Sequence, residues 1–150
     1  MMFVRQMLVS DIDRVNEIAR LSLDEEYVRE VFFLFIGGWP AGQLVAVSDI
    51  GEVIGFLSGA RLTQDKVTIP LFAVAPRYRR ANVGSRLMEE FKIRTIMDGK
   101  QFIQLEVKET NVSAISFYKK MGFTAVEYLN CFYNDGGNAV RMISCARGNA

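Results

Sequence analysis

Val74-Ala75-Pro76-Arg77-Tyr78-Arg79-Arg80-Ala81-Asn82-Val83-Gly84-Ser85-Arg86-Leu87 is the stretch that decides how this chain folds. An apolar strand ends at Val74 and a short turn holds Pro76 and three arginines. A long helical pattern then begins near Asn82, with Val83, Leu87, Met88, Phe91 and Ile96 facing inward. The first N–H groups of a helix have no internal partner and carry partial positive charge. A turn rich in arginine, leading into residues that tolerate unusual φ, lets that backbone close on a pyrophosphate. Gly84 spares a side chain where such a ligand would press against the helix. On chemistry alone the same residues also fit a plain helix start with a solvated, charged face.

Upstream, Val67 to Val74 reads as a strand with Pro70 in its interior. Proline cannot donate to the ladder, so a sheet edge or a bulge is expected there. Leu44 to Val47 and Val53 to Ala60 form a hairpin about Asp49-Ile50-Gly51-Glu52. The alternation of Phe3, Arg5 and Met7 with Val4 and Leu8 predicts a first strand. A helix capped by Ser10 or Asp11 follows, carrying Ile12, Val15, Ile18 and Ala19. A second helix is expected from Asp24 to Ile36, with Tyr27, Val31, Phe32 and Phe35 on one face, broken by the run Gly37 to Gly42.

Downstream, Phe102 to Val107 is a strand, and Asn111 caps a helix that runs to Met121 and ends at Gly122. Phe123 to Tyr133 and Asn138 to Ser144 are strands around the turn Asn134-Asp135-Gly136-Gly137. The order β-α-α-β-β-β-α-β-α-β-β predicts an α/β (mixed α+β) fold. One domain over residues 1–150 is expected, with a mixed, mostly antiparallel sheet and helices on both faces.

Composition narrows the chemistry. The chain has 150 residues, of which 50% are hydrophobic and 23% charged, a balance that suits one packed core. A net charge of +1 gives no case for a nucleic-acid or membrane partner. The opening MMFVRQMLVSD lacks the features of a secretion signal, so a cytoplasmic location is expected. Cys131 and Cys145 fit reduced thiols there, with a single disulfide as the alternative. The absence of histidine removes any Ser-His-Asp or Cys-His triad and leaves no zinc site in view, so no metal is expected. The work falls to carboxylates, tyrosines, backbone dipoles or a cofactor. Glu106 lies between Leu105 and Val107 in an apolar strand. Partial burial would make it a useful base near neutral pH, whereas a solvent-facing position would make it an ordinary strand glutamate. Tyr118, taken alone, fits core packing with a satisfied hydroxyl.

The quoted stretch resembles the acetyl-CoA signature of the GNAT N-acetyltransferase superfamily, R/Q-x-x-G-x-G/A after V-x-P-x-Y. Val74, Pro76, Tyr78, Arg79, Gly84 and Leu87 match, while Asn82 stands where the family has glycine. Asparagine is the non-glycine residue best suited to left-handed φ. A second stretch, Leu105-Glu106-Val107 to Asn111, Ala114, Ile115, Tyr118, Gly122 and Phe123, is similar to the family's LEV-x-x-x-N-x-x-A-I-x-x-Y-x-x-x-G-F at every fixed position. The resemblance implies acetyl-CoA as co-substrate. Phe72, Ala73 and Val74 would offer backbone to its pantetheine arm. Arg79 belongs to the cofactor set, and Arg80, Ala81, Asn82, Val83, Gly84 and Ser85 would hold its pyrophosphate, with Asn111 a further contact. It also implies Glu106 as the base and Tyr118 as the cofactor contact that protonates the leaving thiolate.

Within the family, the chain looks like protein N-terminal α-amino acetyltransferases of the archaeal and ribosomal-protein-alanine type. Glu25 and Tyr27 match their L-P-E-N-Y substrate loop, with Asp24 in place of the proline. Phe132-Tyr133-Asn134-Asp135-Gly136 is similar to their Tyr-Tyr hairpin, with Gly137-Asn138-Ala139 in place of an acidic E-D-A. Glu25, Tyr27 and Tyr133 are thus implied as substrate-binding, and Thr68 stands where relatives carry a His or Tyr base. Glu25 and Tyr27 also fit a solvated helix start with one packed aromatic. The implied acceptor is a protein or peptide N-terminus, and the sequence leaves open whether a ribosome or an auxiliary subunit takes part. An α-amine suits a site without histidine, because neutralising it at pH 7 costs about 1 kcal/mol against about 4–5 for lysine. Two other functions remain open: acetylation of a lysine or small amine, and a catalytically silent acyl-CoA-binding regulatory domain.

Overall fold

A computed structural model describes residues 1–23 and 29–148. The elements run β1 (Phe3–Gln6), α1 (Ile12–Ser22), α2 (Glu30–Gly38), β2 (Gln43–Val47), β3 (Val53–Arg61), β4 (Lys66–Val74), α3 (Val83–Met97), β5 (Phe102–Lys108), α4 (Val112–Lys120), β6 (Thr124–Leu129) and β7 (Ala139–Cys145). The strands form one seven-stranded sheet in the order β1-β2-β3-β4-β5-β7-β6. Among the described residues, only β4 and β5 pair parallel.

Apolar periodicity accounts for most of this. Ile12, Val15, Ile18 and Ala19 are all buried along one stripe of α1. Asp11 sits at the N-cap of α1, but its carboxylate does not cap that helix. It accepts from the Leu8 N–H at 2.7 Å and from both arms of Arg5 at 2.7 and 3.0 Å, which closes the turn before the helix. Burial alone would push the Asp11 carboxyl up, but the Arg5 and Leu8 donors outweigh it and hold it below the ordinary range.

α2 departs from its expected bounds. It runs through Gly37 and Gly38 instead of breaking there, and the expected start at Asp24 lies outside the described residues. The helix ends where the buried Trp39 turns the chain, and Gly42 packs face-on against the indole. β6 is also shorter than expected and stops at Leu129, because the chain from Asn130 to Asn138 forms a wide loop.

Two apolar layers cover the sheet. One gathers under α3 and α4, with Leu44, Leu57, Leu87, Phe91, Ile103, Leu105 and Met142. The other lies under α1 and α2, with Val45, Phe56, Leu71, Ala73 and Phe32. Each such fully buried large side chain contributes about 1.5–3 kcal/mol.

The feature that shapes the site is a parting of strands. β4 and β5 pair only at Lys66↔Phe102, Val67↔Ile103 and Thr68↔Gln104. Just beyond, Ser58 pairs Leu71 and Ala60 pairs Thr68, so Ile69 and Pro70 together face Gly59. This is the bulge expected at Pro70. It bends β4 away from β5, and the missing proline N–H falls where the parallel ladder has already ended. Buried Gln43 fixes the partner strand by donating to the Gly59 carbonyl at 2.6 Å.

Candidate active site

The turn after β4 has the backbone that an anion requires. Arg79 is extended, Arg80 has φ +67° and Asn82 has φ +63° with ψ +17°, both left-handed. Asn82 therefore adopts the conformation that glycine would take most freely. Among the described residues, the N–H groups of Arg80 to Ser85 enter no backbone hydrogen bond. No side chain caps α3, and its first turn holds no acidic residue. Six N–H groups thus remain open at the positive end of a 15-residue helix, beside Arg77, Arg79, Arg80 and Arg86. The Tyr78 hydroxyl donates to Glu52 at 3.3 Å and ties this turn to the β2–β3 hairpin.

The other expected cofactor residues divide by face. Phe72 and Val74 pack toward α3 and α4, while the Ala73 methyl is buried on the α1 side, which leaves Ala73 only its backbone to offer. Val83 is a core residue. Gly84 does face the gap, but aromatic rings stand over it. A Cβ there would lie 3.4 Å from Phe117 and 3.6 Å from Phe72. Asn111 caps α4, its Oδ1 accepting from the Ala114 N–H at 3.1 Å.

Tyr118 enters the gap from α4. Its ring sits among Phe117, Phe123 and Phe72, at centroid distances of 5.4, 5.6 and 6.3 Å. The residue keeps some surface, yet protein atoms crowd its hydroxyl. That burial pushes its pKa well above the ordinary 10, and nearby Tyr133 adds to the rise. The group therefore stays a proton donor across the neutral range.

Glu106 lies on the other face. Ile103, Leu105 and Val107 point into the α3/α4 core, so Gln104, Glu106 and Lys108 point toward the α1/α2 side. Its side chain is 19% exposed. It is also ion-paired. Arg141, opposite it on β7, donates from Nε to Glu106 Oε2 at 2.9 Å. Thr68 forms the last rung with Gln104 before the strands part.

Tyr133 lies in the β6–β7 loop, within the field of the Tyr118 hydroxyl. Lys108 Nζ sits 5.2 Å from the centre of its ring and donates to Asp135 at 2.9 Å. The Asn138 side chain donates to Glu109 at 3.0 Å, which further ties the loop to the end of β5. Glu25 and Tyr27 lie outside the described residues. The structure thus sets Glu106 and Tyr118 on opposite faces of the sheet beyond the last β4–β5 rung, with Tyr133 near the Tyr118 hydroxyl and the open α3 N-terminus following the end of β4. Sequence reasoning missed Gln104, Lys108 and Arg141. Arg141 carried a readable signal, being a lone charge inside the apolar run Ala139 to Ile143. Among the described residues no cluster of three or more His, Cys, Asp or Glu could hold a metal ion.

Comparison with known proteins gives the family of the chain. An N-alpha-acetyltransferase of Sulfurisphaera tokodaii is 31% identical over 93% of this chain and 90% of its own length. The crystal structure of Ard1 from Thermoplasma volcanium superimposes with a TM-score of 0.92 at 35% identity, covering 96% of this chain and 97% of that one. The NatC complex bound to Gag peptide and CoA contains a chain of the same fold, with a TM-score of 0.88 at 20% identity over 96% of this chain and 98% of that one. Residues 12–123 match the model of the acetyltransferase (GNAT) family, and this chain belongs to that family.

Proposed function

We propose that this chain transfers the acetyl group of acetyl-CoA directly to the α-amino group of a protein or peptide N-terminus. The observation that carries the proposal is the gap beyond Thr68 and Gln104, with Glu106 on one face and Tyr118 on the other. The relatives named N-alpha-acetyltransferase, at 31% identity across nearly the whole chain, support the choice of acceptor. The NatC structure, solved with peptide and CoA, supports a cofactor and a peptide meeting within this fold.

Acetyl-CoA supplies an activated acyl group as a thioester. The open N–H groups from Arg80 to Ser85, with the surrounding arginines, fit its pyrophosphate. The β4 backbone at Phe72 to Val74, which β5 no longer pairs, fits the pantetheine arm and offers donors for charge on the carbonyl oxygen. Glu106 takes a proton from the acceptor ammonium, directly or through one water. The freed lone pair forms the new C–N bond as the C–S bond breaks; the second proton of the amine leaves the new amide nitrogen to water, and water returns one proton to Tyr118 once it has protonated the sulfur. Tyr118 gives its proton to the departing sulfur, and its raised pKa keeps that proton in place until then. Tyr133 stands where the acceptor would enter. The free thiols Cys131 and Cys145 support a cytoplasmic setting.

The test is coenzyme A release against peptides that differ in their first two residues, beside N-blocked peptides with an internal lysine and free polyamines. Release with free N-termini alone is the expected result. Release only with lysine or polyamine would overturn the acceptor assignment, and silence with confirmed cofactor binding would favour a regulatory domain.

A further inference from the structure

Arg141 bridges two carboxylates on the open face of the sheet. Its Nε donates to Glu106 Oε2 at 2.9 Å and its Nη1 donates to Glu127 Oε1 at 2.7 Å, so one side chain links β5, β7 and β6. Gln104 Nε2 adds a donor to the same Glu106 oxygen at 3.2 Å. Both donors converge on Oε2, and among the described residues nothing donates to Oε1.

We propose that Arg141 is a positioning residue for acyl transfer: it holds Glu106 by Oε2 and thereby presents Oε1 to the acceptor amine. The proposal rests on Glu106 being the base. Three features of the arrangement lead to it. A glutamate on a half-open strand face has three rotatable bonds, and partners at its end offset the entropy lost in ordering them. The planar guanidinium serves two carboxylates at once through separate nitrogens, which a lysine ammonium does less well. The row Glu127–Arg141–Glu106 also sets two negative groups against one positive group. That leaves an excess of negative charge where the acceptor arrives as an ammonium. An ion pair that served only to hold the strands together would need neither the free oxygen nor the surplus charge.

The experiment compares Arg141→Gln, Arg141→Lys, Glu106→Gln and the double variant Arg141→Gln/Glu106→Gln under saturating acetyl-CoA and peptide. Unfolding midpoints and CoA affinity are measured alongside. Arg141→Gln is expected to lower kcat by about 10- to 100-fold, the scale of a base displaced by an ångström, while CoA affinity holds. Arg141→Lys is expected to lose less, because one cation still reaches Glu106. The double variant is expected to be no slower than Glu106→Gln alone, since an unaimed base and an absent base are equivalent.

Wild-type kcat in Arg141→Gln beside an impaired Glu106→Gln would overturn the positioning role and leave the base assignment standing. So would a double variant slower by the product of the two single effects. Full turnover in Glu106→Gln would overturn the base assignment and the positioning role with it. If Arg141→Gln does not fold, Arg141→Lys decides, and wild-type kcat there overturns the proposal.

Discussion

Replacing Asn82 by alanine tests whether the left-handed turn serves the cofactor. Asn82 has φ +63° and ψ +17°, is exposed, and makes no side-chain hydrogen bond to the α3 terminus. The substitution therefore removes no contact, and what changes is the ease of holding this conformation. Ordinary L-residues pay about 1–2 kcal/mol in the left-handed region, and asparagine pays less because its short polar side chain tolerates it. The difference between Asn and Ala is then about 1 kcal/mol. In the free protein the turn lies on the surface, so part of that strain relaxes and the unfolding midpoint should move little. With pyrophosphate bound, the N–H groups must converge and the penalty returns. The dissociation constant for CoA should rise by about fivefold, the equivalent of 1 kcal/mol. Asn82→Gly should bind within about twofold of wild type, because glycine enters this region freely. Isothermal titration of the three proteins with CoA measures the effect. Equal affinity in Asn82→Ala and wild type would refute the argument, and so would a glycine variant weaker than the alanine one.

The aromatic cage and the bulge each give a further test. Tyr118→Phe keeps the ring contacts and removes the proton, so kcat should fall by about 10- to 100-fold while CoA affinity holds; unchanged turnover would remove Tyr118 from the mechanism. The folded-state pKa of Tyr118 is raised, so its contribution to stability is complete below the unfolded value of about 10 and is lost as pH climbs beyond it. Unfolding midpoints should therefore fall above pH 10, and less steeply in Tyr118→Phe; identical slopes would contradict the burial of the hydroxyl. Gly59→Ala would place a Cβ 2.4 Å from Phe91 Cε1 and 3.0 Å from the Gly42 carbonyl. Overpacking of this kind costs about 1–3 kcal/mol in urea denaturation, and an unchanged midpoint would mean that the bulge yields at little cost.

Local chemistry was legible in the sequence and long-range register was not. Asn111 read as a cap because it is followed by a helical apolar pattern, and its Oδ1 does accept from Ala114. Pro70 read as a bulge because it lacks a donor, but its partner Gly59 emerges only from the β3–β4 register. α2 was misjudged because Gly37 and Gly38 look like breakers, whereas the last turn of a helix tolerates glycine. β6 was drawn too long because Asn130 to Tyr133 continue a strand-like composition into a loop in which Cys131 has φ +53°. Glu106 was found by its oddness within β5. Arg141 is as odd within β7, but the two meet across 35 residues of chain, and no local pattern fixes that pairing.

The division of β5 into two faces bears on how the acyl group would move. Glu106 lies on the α1/α2 side and Tyr118 on the α3/α4 side, so in the proposed reaction the thioester would lie in the gap between them. An amine attacking from one face leaves the sulfur to depart toward the other, where the buried tyrosine hydroxyl waits with its proton. A two-step route through an acyl-cysteine would need a thiol inside that gap. Cys145 pairs with Phe102, at the end of β5 where β4 is still in register and the sheet is closed. Cys131 is exposed in the β6–β7 loop, its backbone N–H held by Asn138 Oδ1 at 2.9 Å. Neither thiol stands between the proton acceptor and the proton donor. In the proposed reaction the parting of β4 and β5 would thus do more than admit a cofactor arm, because it would let the two proton transfers of a direct reaction be served from opposite sides of one sheet.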